Sequence, residues 1–171
     1  LKDVVLGFND FNNYYENNPY FGAIIGRYGN RISNGTFLLD GVRYELEQNN
    51  GPNSLHGGLV GFDKVFWKFV EEKSNNQSLY FEYFSKDMEE GFPGNLVVGV
   101  EYILNDSNEL KIKYTASTDK KTIINLTQHS YFNLSGESSG DILDHILNID
   151  AEYYLPVNEN MIPYGPYEKV E

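Results

Sequence analysis

The chain has 171 residues, 40% of them hydrophobic, which is enough for a globular domain with a buried core and excludes wholesale disorder. Its formal net charge of −12 argues against nucleic acid and anionic membrane surfaces as partners. The absence of cysteine excludes disulfides, thiolate catalysis and thiolate zinc sites. It is compatible with the cytoplasm, where we expect the protein to act.

The predicted elements, taken in chain order, are almost all β-strands. A short helix is predicted only over residues 10–17. Residues 35–39 form an apolar run, and residues 42–47 alternate between apolar and polar side chains. The Asp40-Gly41 pair between them predicts a β-hairpin. Alternation with period two predicts further strands. They cover residues 65–72, 78–86, 97–104, 109–117, 123–127, 145–151 and 153–157.

Turn-rich segments separate these strands, as in a β-sandwich. Residues 49–61, 88–94 and 135–140 are crowded with Gly, Asn, Ser or Pro and are predicted to be irregular loops. Aromatic residues make up 15% of the chain. Most of them fit strand cores, although tyrosine and tryptophan faces also suit sugar binding. The pattern predicts an acidic, mainly β domain.

Three histidines are the candidate acid–base groups, because their unperturbed pKa lies closest to neutrality. His56 lies in a glycine-rich turn, where it can either face a ligand or pack against the turn. His129 follows an apolar run, and it can lie at a strand edge in a cleft or be a satisfied buried histidine. His145 is predicted to open a strand and to pair with surface charges. Their wide spacing gives no support to a zinc site.

Arginines and paired carboxylates offer further candidates. Arg31 follows Asn30 and can present a fork of donors to ligand oxygens, whereas the commoner fate of Arg27 and Arg31 is pairing with carboxylates. Glu89 and Glu90 are adjacent on a loop, where neighbouring side chains diverge. They are therefore predicted to form a solvated acidic loop and not the opposed pair of a glycosidase.

Seven ordered groups of motifs resemble the aldose 1-epimerase (galactose mutarotase) family, and together they span nearly the whole chain. They lie at residues 18–37 with the Asp-Gly hairpin, 53–58, 61–67, 90–94, 125–127, 129–134 and 154–157. The resemblance implies an all-β fold, a large antiparallel β-sandwich of twice this length. Residues 1–171 are accordingly expected to form only part of that domain, without its first strands and its C-terminal half.

The resemblance also implies a reaction and roles for four residues. Members of the family interconvert the α and β anomers of aldohexoses such as galactose and glucose, and they need no metal or organic cofactor. His129, in the HSYFN motif, would donate a proton to the sugar ring oxygen, and His56 would orient or polarise the sugar. Asn30 and Arg31 would bind sugar hydroxyls. The family's catalytic glutamate has no counterpart in residues 1–171.

Two hypotheses therefore remain. In the first, the chain is part of a working mutarotase, and residues 1–171 alone would be inactive because the base is absent. In the second, it is a non-catalytic carbohydrate-binding module of the same fold. A purely structural β module is disfavoured by the positions of His56, His129 and Arg31 in the motifs. Residues 1–171 alone are also expected to associate through open sheet edges and uncovered apolar surface.

Overall fold

Twelve β-strands and five 3₁₀ turns make up the regular structure of residues 2–15 and 19–170 in a computed structural model of the chain. The strands are β1 Ile24–Ile25, β2 Arg31–Ile32, β3 Thr36–Leu39, β4 Val42–Glu45, β5 Ser54–Leu55, β6 Lys68–Phe69, β7 Ser78–Ser85, β8 Leu96–Leu104, β9 Leu110–Thr118, β10 Thr127–Gln128, β11 Tyr153–Tyr154 and β12 Glu168–Lys169. The 3₁₀ turns are Phe11–Tyr14, Ser33–Gly35, Phe62–Lys64, Glu71–Lys73 and Glu89–Gly91. No helix among these residues is long and apolar enough to cross a membrane.

The largest sheet has the order β6-β7-β8-β9, and all its strand pairs are antiparallel. At one end of the sheet, Leu96 of β8 lies opposite Ser85 of β7 and Thr118 of β9. Four pairs of short strands complete the regular structure of the described residues: β1 with β10, β2 with β5, β3 with β4, and β11 with β12. The predicted all-β class and the predicted strands 78–86, 97–104 and 109–117 are confirmed.

The β3–β4 hairpin forms where the sequence predicts it. Asp40 and Gly41 have φ angles of 50° and 80°, and two consecutive positive φ angles are the mark of a type I′ turn. Aspartate tolerates this conformation better than most side chains, and glycine has no Cβ to clash. The twist of such a turn matches that of the two strands, which pair from Leu39 and Val42 outward.

The hydrophobic core lies on one face of the large sheet. Leu96, Val98 and Val100 alternate along β8 and are at most 1% exposed, so period-two side chains form one wall of the core. Phe62 packs on them from the 3₁₀ turn Phe62–Lys64. The indole N–H of Trp67 donates to the carbonyl oxygen of Phe62 at 3.0 Å, which holds this turn against the sheet. Residues Ile24 and Leu126, beside the small β1–β10 ladder, also pack against the core.

Some predicted elements are shorter than expected or absent. In the predicted strand 65–72 the strand itself is only Lys68–Phe69, because the chain enters the 3₁₀ turn Glu71–Lys73 after one further bond from the Val70 N–H to the Tyr80 carbonyl oxygen. Residues 145–151 form no strand, and the N–H groups of His145 and Ala151 donate locally to the carbonyl oxygens of Ile142 and Ile149. Only residue 127 of the predicted strand 123–127 and residues 153–154 of 153–157 are paired in strands.

Residues 1, 16–18 and 171 lie outside the described part of the chain. They include Asn18 of the first motif and the last two residues of the helix predicted over 10–17. Within that prediction the structure has the 3₁₀ turn Phe11–Tyr14, whose first turn is capped by the Asp10 carboxylate accepting from the Asn12 N–H.

Apolar side chains after β10 are strongly exposed. Leu143, Ile146 and Leu147 are 85%, 96% and 82% exposed. Exposed apolar patches of this kind mark surfaces that associate. The expectation that residues 1–171 alone would self-associate stays a prediction that this surface supports.

The core is tested by two phenylalanines four residues apart. Phe62 is 3% exposed and Phe66 is 86% exposed. We expect Phe62→Ala to lower the free energy of unfolding by about 3–5 kcal/mol, because it leaves a cavity against β8. Phe66→Ala should change it by no more than about 0.5 kcal/mol. Denaturant unfolding measures both, and equal effects would contradict this description of the core.

Candidate active site

Two short ladders bring the predicted site residues together. His129 directly follows β10, and its backbone N–H donates to the Ala23 carbonyl oxygen at 2.9 Å, next to β1. His56 directly follows β5, where Leu55 lies opposite Arg31 of β2. Residues more than 70 positions apart in sequence, such as 56 and 129, therefore meet at the ends of paired strands.

The imidazole rings of His56 and His129 are in contact. Their centroids are 5.1 Å apart and their planes are perpendicular, at 90°. Both histidines are half-buried, so neither is sealed in the interior nor freely exposed. The alternative of a satisfied buried histidine, which the sequence left open for His129, does not match this position.

His56 is held by a reciprocal pair of bonds with Asn30. The Asn30 N–H donates to Nδ1 of His56 at 3.0 Å, and the His56 N–H donates to the Asn30 carbonyl oxygen at 3.1 Å. Both residues have backbone dihedrals in the left-handed region, with φ of 66° at Asn30 and 55° at His56. Since Nδ1 accepts a hydrogen bond, the neutral ring carries its proton on Nε2.

The charge state of His56 follows from its surroundings. Burial, reinforced by the charges of His129 and Arg31, lowers the pKa of His56 to about 4. At neutral pH the ring is therefore uncharged and presents one N–H donor. This arrangement suits the binding of an oxygen atom, whereas it does not suit the delivery of a full proton.

Arg31 is oriented by amides and not by carboxylates. Its Nε donates to Oδ1 of Asn50 at 2.8 Å, and one terminal nitrogen donates to Oδ1 of Asn30 at 3.3 Å. The described residues include no carboxylate in an ion pair with it, so the alternative of carboxylate pairing does not match this position. Its charge remains available to ligand oxygens.

The imidazole of His129 packs against aromatic side chains. Its ring centroid is 5.3 Å from that of Tyr20 and 5.0 Å from that of Tyr131, and His56 is its third ring neighbour. Within residues 2–15 and 19–170 its ring nitrogens have no hydrogen-bond partner. They are thus available to a bound molecule.

Asp63 adds a carboxylate to this group of rings. It lies in the 3₁₀ turn Phe62–Lys64, and the charges of His129 and Lys64 act on it. Burial raises the pKa of Asp63. Together with Tyr20, it also lines a cleft of about 820 Å³. The remaining cleft residues are Phe11, Tyr14, Tyr15, Lys64, Val65, Phe66 and Trp67.

The loop that carries His56 is held by an asparagine and a glutamate. The Asn49 side-chain amide donates to the carbonyl oxygens of Leu55 and Gly58 at 2.9 and 2.7 Å. Glu90 accepts from the backbone N–H groups of Leu59 and Val60 at 2.8 and 3.2 Å. Glu90 therefore holds the next part of the loop as a fixed acceptor.

The predicted solvated acidic loop is wrong, because both of its carboxylates have internal partners. Glu89 accepts from the Tyr83 hydroxyl at 2.7 Å and also from the Ser85 hydroxyl. Glu90, next to it, accepts the two N–H groups described above. The two side chains serve different parts of the structure, in agreement with the prediction that they do not form a glycosidase pair.

Arg27 has a structural role. It is 2% exposed and forms no ion pair among the described residues. Its guanidinium donates to the Ser85 hydroxyl at 2.8 Å and to the carbonyl oxygens of Lys86 and Pro93 at 2.7 and 2.9 Å. It thereby joins the end of β7 to the loop that contains Glu90.

His145 lies outside the site. Its Nε2 accepts from the Leu134 N–H at 3.0 Å, so the prediction that it opens a strand and pairs with surface charges is wrong. The described residues contain no group of three or more His, Cys, Asp or Glu placed to hold a metal ion.

The sequence pointed to four of these residues, and the structure places His56, His129, Asn30 and Arg31 together. Tyr20, Asn49 and Asp63 were not singled out. Tyr20 and Asp63 stand inside motifs of the resemblance, and Asn49 opens the irregular loop before His56. Membership in a motif, or in the loop that leads to one, is the sequence signal that marks these three residues.

Comparison with known proteins shows the family to which this fold belongs. The family model of aldose 1-epimerase matches residues 1–171. The chain is 50% identical over 170 residues to galactose mutarotase of Sus scrofa, and 42% identical to aldose 1-epimerase of Escherichia coli. Each match covers 99% of this chain and 48% of the relative, so the chain spans about half the length of the curated relatives it matches.

Solved structures show the same fold. A GalM/aldose epimerase homologue from C. elegans has a TM-score of 0.91 and 33% identity, over 98% of this chain and 50% of the other. Galactose 1-epimerase from Lactobacillus acidophilus has a TM-score of 0.86 and 29% identity, over 98% and 49%. The chain belongs to the aldose 1-epimerase family, and its fold is part of that family's large antiparallel β-sandwich.

The state of His56 can be measured by following its ring resonances in an NMR pH titration. We expect the ring to stay neutral until the pH approaches about 4, whereas the unfolded chain should titrate near 6.5. Because the unfolded state then binds more protons, this group's contribution to stability is complete above pH 6.5 and is lost as the pH falls towards 4. Titration of His56 near 6.5 in the folded protein would contradict the assigned environment of the ring.

Proposed function

We propose that this chain carries the proton-donating side of an aldose 1-epimerase active site, which interconverts the α and β anomers of aldohexoses such as galactose and glucose. The observation that supports it most is the perpendicular contact of the His56 and His129 rings, 5.1 Å apart, beside Arg31. The names of the relatives, galactose mutarotase and aldose 1-epimerase, support the substrate class.

His129 acts as the general acid in this proposal. A base removes the proton of the anomeric hydroxyl, and the C1–ring-oxygen bond breaks as C1 becomes an aldehyde. His129 gives its proton to the departing ring oxygen, which becomes the C5 hydroxyl of the open chain. Available ring nitrogens are what this transfer requires, since the donor must lie within hydrogen-bond reach of the oxygen.

Ring closure reverses these transfers on the other face. After rotation about C1–C2, the C5 hydroxyl attacks the aldehyde carbon and returns its proton to His129. The protonated base gives its proton to the carbonyl oxygen, which becomes the new anomeric hydroxyl. Acid and base end in their starting states, and the anomer is inverted. The resemblance assigns the base to a glutamate of the family's later half.

His56, Asn30 and Arg31 bind and orient the sugar in this scheme. The Nε2–H of neutral His56 donates to a sugar oxygen close to the one that His129 protonates. Arg31, oriented by Asn50, donates to hydroxyls, and Asn30 offers a side-chain amide beside it. The ring of Tyr131, beside His129, gives a flat surface for the pyranose.

The test is polarimetry of freshly dissolved α-galactose with the complete protein. Wild type should speed the change in optical rotation, and His129→Ala should lower kcat by about 10²- to 10⁴-fold, the usual contribution of one acid–base group. His145→Ala is the matched control, because His145 lies outside the site, and it should keep the wild-type rate.

Two results would contradict the proposal. Full activity of His129→Ala would remove the assigned acid. Sugar binding in calorimetry without any mutarotation by the wild-type protein would favour the non-catalytic carbohydrate-binding module.

A further inference from the structure

Tyr20 has a backbone conformation that is uncommon for its residue type. Its φ is 67°, in the left-handed region that side chains with a Cβ rarely adopt. The Ala23 N–H donates to the Tyr20 carbonyl oxygen at 3.1 Å and closes a turn here. Such conformations persist where the surrounding structure holds them, and they cluster at functional sites.

The ring of Tyr20 contacts both histidines of the candidate site. Its centroid is 4.8 Å from that of His56, at 72°, and 5.3 Å from that of His129, at 32°. With the contact of 5.1 Å between the two imidazoles, the three rings form a closed triangle. Edge-to-face and tilted contacts at these distances are attractive.

The two imidazoles differ in how they are held. His56 has a hydrogen bond at Nδ1, which fixes its ring independently of its aromatic neighbours. The His129 ring has no such hydrogen bond among the described residues, and it packs against the rings of His56, Tyr20 and Tyr131. Removal of one ring from this set leaves His129 with space to rotate about its side-chain bonds.

The Tyr20 hydroxyl is a neutral group at physiological pH. Burial, followed by the nearby charge of Asp63, raises the pKa of Tyr20. The ring also lines the cleft together with Asp63. Tyr20 therefore stands between the two histidines and the cleft as an uncharged wall.

We propose that Tyr20 is a positioning residue that holds the His129 imidazole in the orientation needed for proton transfer, through ring packing and not through its hydroxyl. This inference rests on the proposed mutarotase function. A general acid that is free to rotate spends less time aligned with the sugar ring oxygen, and a misplacement of about 1 Å can cost about 10²-fold in rate.

The test compares Tyr20→Leu with Tyr20→Phe in the complete protein. Tyr20→Leu should lower kcat by about 10- to 100-fold. Its KM should change by less than about threefold, because ground-state contacts to the sugar come mainly from other residues. Tyr20→Phe keeps the ring and should restore kcat to near the wild-type value. Tyr167→Leu, at an exposed tyrosine outside the described site, is the matched control and should keep full activity.

A second measurement separates this inference from the proposed function. With isotopically labelled histidine, the ring resonances of His129 should shift and broaden in Tyr20→Leu and should stay unchanged in Tyr167→Leu, whether or not the protein is a mutarotase. Unshifted His129 resonances in Tyr20→Leu would overturn the inference. So would a fully active Tyr20→Leu, or a Tyr20→Phe as impaired as Tyr20→Leu, in a wild type that does catalyse mutarotation.

Discussion

The hydrogen bond from the Asn30 backbone N–H to Nδ1 of His56 is the constraint on which the candidate site depends. It connects the residue before β2 to the residue after β5 and leaves Nε2 as the protonated nitrogen of the neutral ring. A backbone donor cannot rotate away as a side chain can, so the direction of the remaining N–H is set by the fold. The neutral state follows from burial and from nearby positive charge.

The two histidines therefore take different parts in the proposed chemistry. His56 is fixed by the backbone and stays neutral, which makes it a binding group. His129 has no side-chain hydrogen bond within the described residues and touches the rings of Tyr20 and Tyr131. Environment separates the roles of two chemically identical side chains, as in other sites where paired groups divide acid and binding tasks.

Polar groups outside the site keep this geometry in place. Asn49 bonds across the His56 loop, and Glu90 accepts two N–H groups from the part that follows it. Arg27 in turn fixes the loop of Glu90, through the Pro93 carbonyl oxygen, to the end of β7. Gly57 is needed for the close approach of this loop to the residue after β1, because a Cβ there would lie 1.9 Å from the Gly26 carbonyl oxygen. The site is thus tied to the large sheet mainly through side chains that bond to backbone groups.

Much of the fold was predictable from local signals, whereas the supporting contacts were not. Period-two alternation gives β7, β8 and β9, and Asp40-Gly41 gives the hairpin. The strand predicted over 145–151 is absent, because an apolar pattern such as Ile146-Leu147 says nothing about which strand is available to pair with it. The motifs located the site's four candidate residues, but the tasks of Tyr20 and Glu90 depend on contacts between distant segments.

The most direct test is a crystal structure of the complete protein with galactose bound. The account predicts that an imidazole nitrogen of His129 lies about 2.6–3.2 Å from the sugar ring oxygen, within reach for proton transfer. A sugar whose ring oxygen faces away from His129, or one bound apart from His56 and Arg31, would contradict it.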